Sequence, residues 1–149
     1  MLGELNQTQI DYVLRSQAVG RLGCCAGGQV YIVPITYVYE DPYIYGHTKE
    51  GLKVNMMRKN PHVCFEVDII QNLANWQSVI LQGEYEELSG QENQQALEII
   101  KSRITPLLSS EFILPAASPD IHHSITASRL VRVSYRILIN HKTGRYEKR

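Results

Sequence analysis

The stretch of this sequence best equipped for chemistry is Tyr45-Gly46-His47-Thr48-Lys49-Glu50-Gly51-Leu52-Lys53. A β-prone run ends at Gly46, and a helical pattern begins a few residues later. The first turn of a helix leaves backbone N–H groups unpaired and carries a partial positive charge. His47 and Thr48 can add side-chain hydrogen bonds there, and Lys53 adds a point charge. Gly51 lets a bulky anion approach the backbone. Together these parts describe a phosphate site. They also suit an ordinary strand–loop–helix with a solvated lysine, because helix N-termini are common.

Two other places could serve a ligand. Pro34 interrupts an otherwise good strand, Val33-Pro34-Ile35-Thr36. Proline cannot donate to a ladder, so it belongs at an edge or a bulge. Backbone groups at Val33 and at Ile35 or Thr36 are then free for a flat heteroaromatic ring, although a plain edge strand fits equally well. Ser78, in Trp76-Gln77-Ser78-Val79, begins a strand that could lie beside the first two. Its hydroxyl suits a ring carbonyl or a sugar-like hydroxyl. Trp76 is better read as packing.

These residues need elements to hold them. Asn6 and Gln9 form a capping pair before Ile10, Val13 and Leu14, which predicts a short helix ending before Gly20. Val19 to Ala26 and Gln29 to Glu40 read as a hairpin around Gly27-Gly28. In the second run Tyr31, Val33, Ile35, Tyr37 and Tyr39 share one face; Val30, Ile32, Pro34, Thr36 and Val38 share the other. Both faces are largely apolar, so neither is expected to be freely solvated. Asp41-Pro42 turns into a third strand, Tyr43 to His47. Lys49 to Lys59 reads as a helix with an apolar stripe of Leu52, Val54, Met56 and Met57, stopped by Asn60-Pro61. His62 to Asp68 and Trp76 to Leu88 are further strands, the second bent at Gly83. Ser89 and Glu92 cap a helix that ends near Thr105-Pro106. Residues 106–126 read as a long surface excursion, and Ser128 to Asn140 as a last strand. Thr143-Gly144 then turns into a charged tail. About six strands, too close together for most crossovers, make an antiparallel β-barrel with peripheral helices the expected architecture.

Composition narrows the function classes. The chain has 149 residues, 44% hydrophobic and 20% charged, which suits one globular domain, 1–149. Lys plus Arg equals Asp plus Glu at 15 each, so broad attraction to nucleic acid or an anionic membrane has no support. Cys24, Cys25 and Cys64 lack disulfide or zinc spacing and read as reduced, packed thiols. That fits a cytoplasmic protein. No signal-like start and no apolar run of about 20 residues is visible.

The ordered series Val33-Pro34-Ile35-Thr36-Tyr37, Ile44 to Thr48, Gly51-Leu52-Lys53, Lys59 to Phe65 and Ser78 to Gly83 resembles the pyridoxamine 5′-phosphate oxidase-related, FMN-binding split-barrel family. It is most similar to the short members related to nitroimidazole-resistance proteins. The resemblance spans roughly residues 8 to 105, with a weaker match at the final strand. It implies a split β-barrel, a homodimer, and FMN in the dimer cleft. Val33, Pro34, Ile35 and Thr36 would lie along the isoalloxazine. His47, Thr48 and Lys53 would sit near the phosphate, and Ser78 near the ring or the ribityl chain. Full pyridoxamine phosphate oxidases carry a basic residue where Leu52 stands and a C-terminal substrate segment. Lys142 to Arg149 does not match that segment, so vitamin-phosphate oxidation is not the expected activity. The leading expectation is a flavin oxidoreductase of unspecified substrate, with the cofactor supplying the hydride chemistry. A non-catalytic FMN carrier is one alternative. Haem binding is another, with His47, His62, His122, His123 and His141 as ligand candidates by type alone.

Overall fold

The structure, a computed structural model, describes residues 1–108 and 132–149. The expectations for His122, His123 and the start of the final strand lie outside the described residues, as does most of the 106–126 reading. The elements run β1 (Leu2–Glu4), α1 (Gln7–Ser16), β2 (Val19–Ala26), β3 (Gln29–Thr36), β4 (Val38–Glu40), β5 (Tyr43–Lys49), α2 (Leu52–Lys59), β6 (His62–Asn72), β7 (Asn75–Glu87), α3 (Gly90–Leu108) and β8 (Arg132–Glu147).

The described strands form one antiparallel 8-stranded sheet in the order β3-β2-β6-β7-β8-β5-β4, with β1 off this path and paired to β8. β8 is the axis of this sheet. One of its edges pairs with β7 along almost its whole length, while the other pairs first with β5 and then with β1. This corrects the expected end of the chain: Thr143 and Gly144 are ladder residues opposite Ile80 and Val79, not a turn. Gly144 is required there, because a Cβ would meet Leu5 and Ile10 at about 3 Å. The single run expected over Gln29 to Glu40 is two strands, since Tyr37 leaves the ladder. Its hydroxyl donates to the Leu14 carbonyl at 2.7 Å, tying α1 to the barrel.

Side-chain alternation explains what is inside. Leu22, Ile35, Tyr37, Tyr39, Ile44, Phe65, Val67, Val79, Leu81, Tyr135 and Ile137 point into one core. α1 closes part of it with Ile10, Val13 and Leu14, and its capping pair is formed: Asn6 accepts from the Gln9 N–H, and Gln9 accepts from the Asn6 N–H. α2 adds Val54, Met56 and Met57. Leu52 does not join that stripe and is 51% exposed. α3 covers the opposite side of β5, where Val38, Tyr45, Leu88 and Ala96 form a second cluster. It runs past the expected stop, with Pro106 inside the helix.

The barrel is split. Among the described residues, no ladder joins β3 to β5, so β3 ends the sheet with an open edge. The other departure from solvated-barrel behaviour is the outer face of β3 and β2. Val30 and Ile32 are 71% and 67% exposed there. A concavity of about 660 Å³ opens beside them, bordered by Arg21, Cys25, Cys64 and Gln82.

The expected bend at Gly83 is a register shift against β8: Gln82 faces His141, and Gly83 faces Ile139, leaving Asn140 as the extra residue. A Cβ on Gly83 would lie 2.5 Å from the Leu138 carbonyl oxygen and 2.6 Å from the Ile137 side chain. Gly83→Ala is therefore expected to destabilise the fold by about 1–3 kcal/mol in a denaturant melt. Gly51→Ala is the control. Gly51 has extended backbone and open space around its Cβ position, so its melt should shift by no more than about 0.5 kcal/mol.

Candidate functional site

The open edge of β3 offers specific backbone groups. The Tyr37 N–H bonds to the Ala18 carbonyl at 3.0 Å, on the β2 side. Backbone direction alternates along a strand, so the N–H groups of Ile35 and Val33 also turn toward β2. Pro34 and Thr36 turn the other way. The groups at the open edge are thus the Pro34 carbonyl and the Thr36 N–H and carbonyl. Of the alternatives left by the sequence, the edge falls to Thr36 rather than to Val33 and Ile35. Val33 and Ile35 contribute side chains to the core, while the Pro34 and Thr36 side chains are exposed. Pro34 costs the sheet nothing here, because its missing N–H would have faced the gap.

Across the gap, β5 leads into α2. Gly51 is the N-cap of α2 and supplies no side-chain cap. The first helical bond runs from the Asn55 N–H to the Gly51 carbonyl, which leaves the amides of Leu52, Lys53 and Val54 without helical partners. The helix begins three residues later than the sequence pattern suggests, so Lys53 sits at its second position. Lys53 is half-buried and lies against β2. Burial and the neighbouring Cys25 push the Cys24 thiol up, and the Lys53 charge opposes them. Glu50, the carboxylate closest to this helix start in sequence, is occupied by Arg58, which also bonds Glu87 on β7 at 2.8 Å. Arg58 thereby neutralises an acid that would repel an anion at the helix start. The sequence reading missed Arg58, although its spacing of eight residues from Glu50 placed it two helical turns away.

His47 and Thr48 leave β5 on opposite faces. Thr48 donates to the Lys49 carbonyl at 3.3 Å. His47 continues the face of Tyr43 and Tyr45, with Nδ1 3.1 Å from the Oγ of the buried Ser134. Burial, reinforced by the Arg132 charge, holds the His47 imidazole below its ordinary value. A neutral ring at neutral pH can offer one N–H donor from Nε2 when Ser134 donates to Nδ1.

Ser78 is not part of this group within one protomer. Its strand lies beside β6 and β8, not beside β2 and β3 as the sequence suggested. Three strand spacings separate β7 from β3, about 14 Å along the sheet. Ser78 sits on the outer face and donates to Glu66 at 2.9 Å. Arg21 reaches Asp68 at 3.3 Å and Glu66 at 3.9 Å, and it lies opposite Pro34 in the β2–β3 ladder. A polar row of Arg21, Glu66 and Ser78 therefore crosses the outer face from the neighbour of Pro34 to β7. Burial pushes the Glu66 carboxyl up, while the Ser78 hydrogen bond opposes that shift. The sequence reading did not find this row, because only the register of β2, β6 and β7 brings its members together.

Trp76 lies near Tyr12, Ile69 and Tyr146 at the far end of the barrel. Among the described residues, no cluster of His, Cys, Asp and Glu could hold a metal ion. His62 is 74% exposed by side chain and 3.6 Å from Glu84, and it borders the concavity beside Val30 and Ile32. Among the described residues, no helix is long and apolar enough to cross a membrane.

The fold and the sequence have known relatives. Residues 6–141 match the family model described as pyridoxamine 5′-phosphate oxidase. An uncharacterised protein of Rhizobium meliloti, RA0666, is 33% identical over 84 residues, 56% of each chain; the match thus spans about half of that relative's length. The structure is similar to that of a FAD-binding protein, mll6688, from Mesorhizobium loti, with a TM-score of 0.79 at 29% identity, covering 100% of this chain and 98% of that one. The FAD-binding protein of Mycobacterium smegmatis shares the fold at 21% identity, with a TM-score of 0.63 and 98% of both chains covered. So does a proposed 5-nitroimidazole antibiotic resistance protein of Bacteroides thetaiotaomicron, at 20% identity and a TM-score of 0.72, covering 98% of this chain and 87% of that one. With an antiparallel split barrel throughout and a family match over nearly its whole length, this chain belongs to the flavin-binding, pyridoxamine 5′-phosphate oxidase-related split-barrel family.

Proposed function

We propose that this chain is an FMN-binding oxidoreductase that works as a homodimer, with each flavin held at the split of one barrel and completed by the second copy. The observation that carries the reading is the open β3 edge beside β5, the strand that leads into the uncapped start of α2. The donor set fits a flavin mononucleotide. Three amides without helical partners and the Lys53 ammonium suit a terminal phosphate. Thr48 and His47, near the end of β5, are the side chains that this reading adds to the phosphate end. The Pro34 carbonyl and the Thr36 backbone groups offer an acceptor and a donor to the edge of a flat ring, with Val33 and Ile35 fixing the strand from inside the core. Open space at Gly51 leaves room for the phosphoryl oxygens.

A flavin, when bound, supplies hydride and electron transfer. The chain's own residues bind it, orient its ring and screen it from water; no dedicated acid or base is required. The second copy is argued from two facts. Val30, Ile32 and Ile80 expose an apolar outer face, which a soluble partner surface would cover. Ser78, on that face, stands three strands from β3, and this reading assigns it to the flavin of the second copy. Three unpaired thiols suit a reducing, cytoplasmic setting.

Two measurements test this. Lys53→Ala should weaken FMN binding by about 1–3 kcal/mol in a fluorescence titration, and unchanged affinity would remove Lys53 from the site. The protein should also run at twice its 17.0 kDa chain mass in solution, with flavin absorbance in the purified sample. A monomer that retains flavin would rule out the shared site, and a haem Soret band without flavin bands would replace the cofactor.

A further inference from the structure

The polar row on the outer face does more than link β2 to β7. The Ser78 hydroxyl has one proton, and the geometry commits it: Oγ donates to Glu66 Oε1 at 2.9 Å. Arg21 bonds Asp68 at 3.3 Å and lies 3.9 Å from Glu66, so its charge stands beside the carboxylate that receives that proton. The Glu66 side chain is 28% exposed and that of Asp68 22%, so the row is partly withdrawn from water. A serine whose proton is already given to a carboxylate can only accept another hydrogen bond.

We propose that Glu66 is a positioning residue that fixes Ser78 as a hydrogen-bond acceptor toward the flavin, and so selects the ring N3–H as its partner. The inference rests on the reading that Ser78 meets a flavin. An oxidised isoalloxazine carries a single ring donor, N3–H, among acceptors at O2, O4, N1 and N5. A free serine could turn its proton to either carbonyl. Ser78, held by Glu66, cannot. Its bond to N3–H is also strengthened, because the carboxylate raises the electron density on Oγ. The same polarisation disfavours electron uptake by the ring, so Glu66 lowers the reduction potential of the cofactor. Cys64 and Gln82 lie on the same face but bond each other, at 3.6 Å, and leave the row undisturbed.

The test uses the flavin-loaded protein with ¹⁵N-labelled FMN. Two quantities are read: exchange of the N3–H proton with water by NMR, and the flavin midpoint potential. The variants are Glu66→Gln, Ser78→Ala, the double variant, and Ser78→Thr as the conservative rescue. Glu66→Gln should accelerate N3–H exchange several-fold and raise the potential by a tenfold change in the redox equilibrium, about 30 mV for a two-electron couple. Ser78→Ala should accelerate exchange at least as much, and Ser78→Thr should restore it. In the Ser78→Ala background, Glu66→Gln should have no further effect on exchange, because its influence passes through the hydroxyl. Equal effects of Glu66→Gln in both backgrounds would overturn the proposal and leave a simple field effect of the carboxylate. If Ser78→Ala changes exchange and Glu66→Gln does not, Ser78 meets the flavin without Glu66 setting its polarity. No response to Ser78→Ala would overturn the placement of Ser78 itself, and the proposal with it.

Discussion

Pro34 has no N–H to give, and it stands where a neighbouring strand would otherwise ask for one. Because of it, the edge of β3 cannot be completed by a regular ladder, and the barrel stays open on that side. The opening does not collapse, because its edge is pinned from within. Val33 and Ile35 hold β3 to the core, and the Tyr37 hydroxyl ties the end of that strand to α1. Met56 and Met57 anchor α2 in the core, where the helix packs on β2. The open edge of β3 is therefore a fixed feature that presents backbone groups.

Charge placement around the gap follows the same logic. A helix start attracts anions weakly on its own, by about 0.3–1 kcal/mol for an exposed charge. A carboxylate one residue before Gly51 would cancel much of that. Arg58 removes the conflict by holding Glu50 and Glu87 together, two turns along the same helix. Lys53 is left facing β2 with no acid bound to it among the described residues. The positive character of the site is thus a local arrangement within a chain of zero net charge.

The outer face combines two features that seldom coexist on a free surface. Val30 and Ile32 present apolar side chains next to the ion-paired row of Arg21, Glu66 and Asp68. An apolar rim excludes water from a polar row, and a row with less water holds its hydrogen bonds in fixed directions. The fixed direction of the Ser78 hydroxyl is one consequence.

Periodicity along single segments was legible in the sequence. The capping pair at Asn6 and Gln9, the inward set Ile35, Tyr37 and Tyr39, the buried face of β6 and the edge position of Pro34 all follow from local pattern, because side-chain direction and proline's missing donor are properties of a few consecutive residues. What the pattern could not decide was which strands become neighbours. β8 pairing with three strands, Thr143 and Gly144 lying in a ladder, and Ser78 standing three strands from Pro34 all depend on contacts between distant segments. The Arg21, Glu66 and Ser78 row lay outside the sequence pattern for the same reason. Each residue looks like an ordinary polar position on its own strand, and only the register of β2, β6 and β7 brings their atoms within bonding distance.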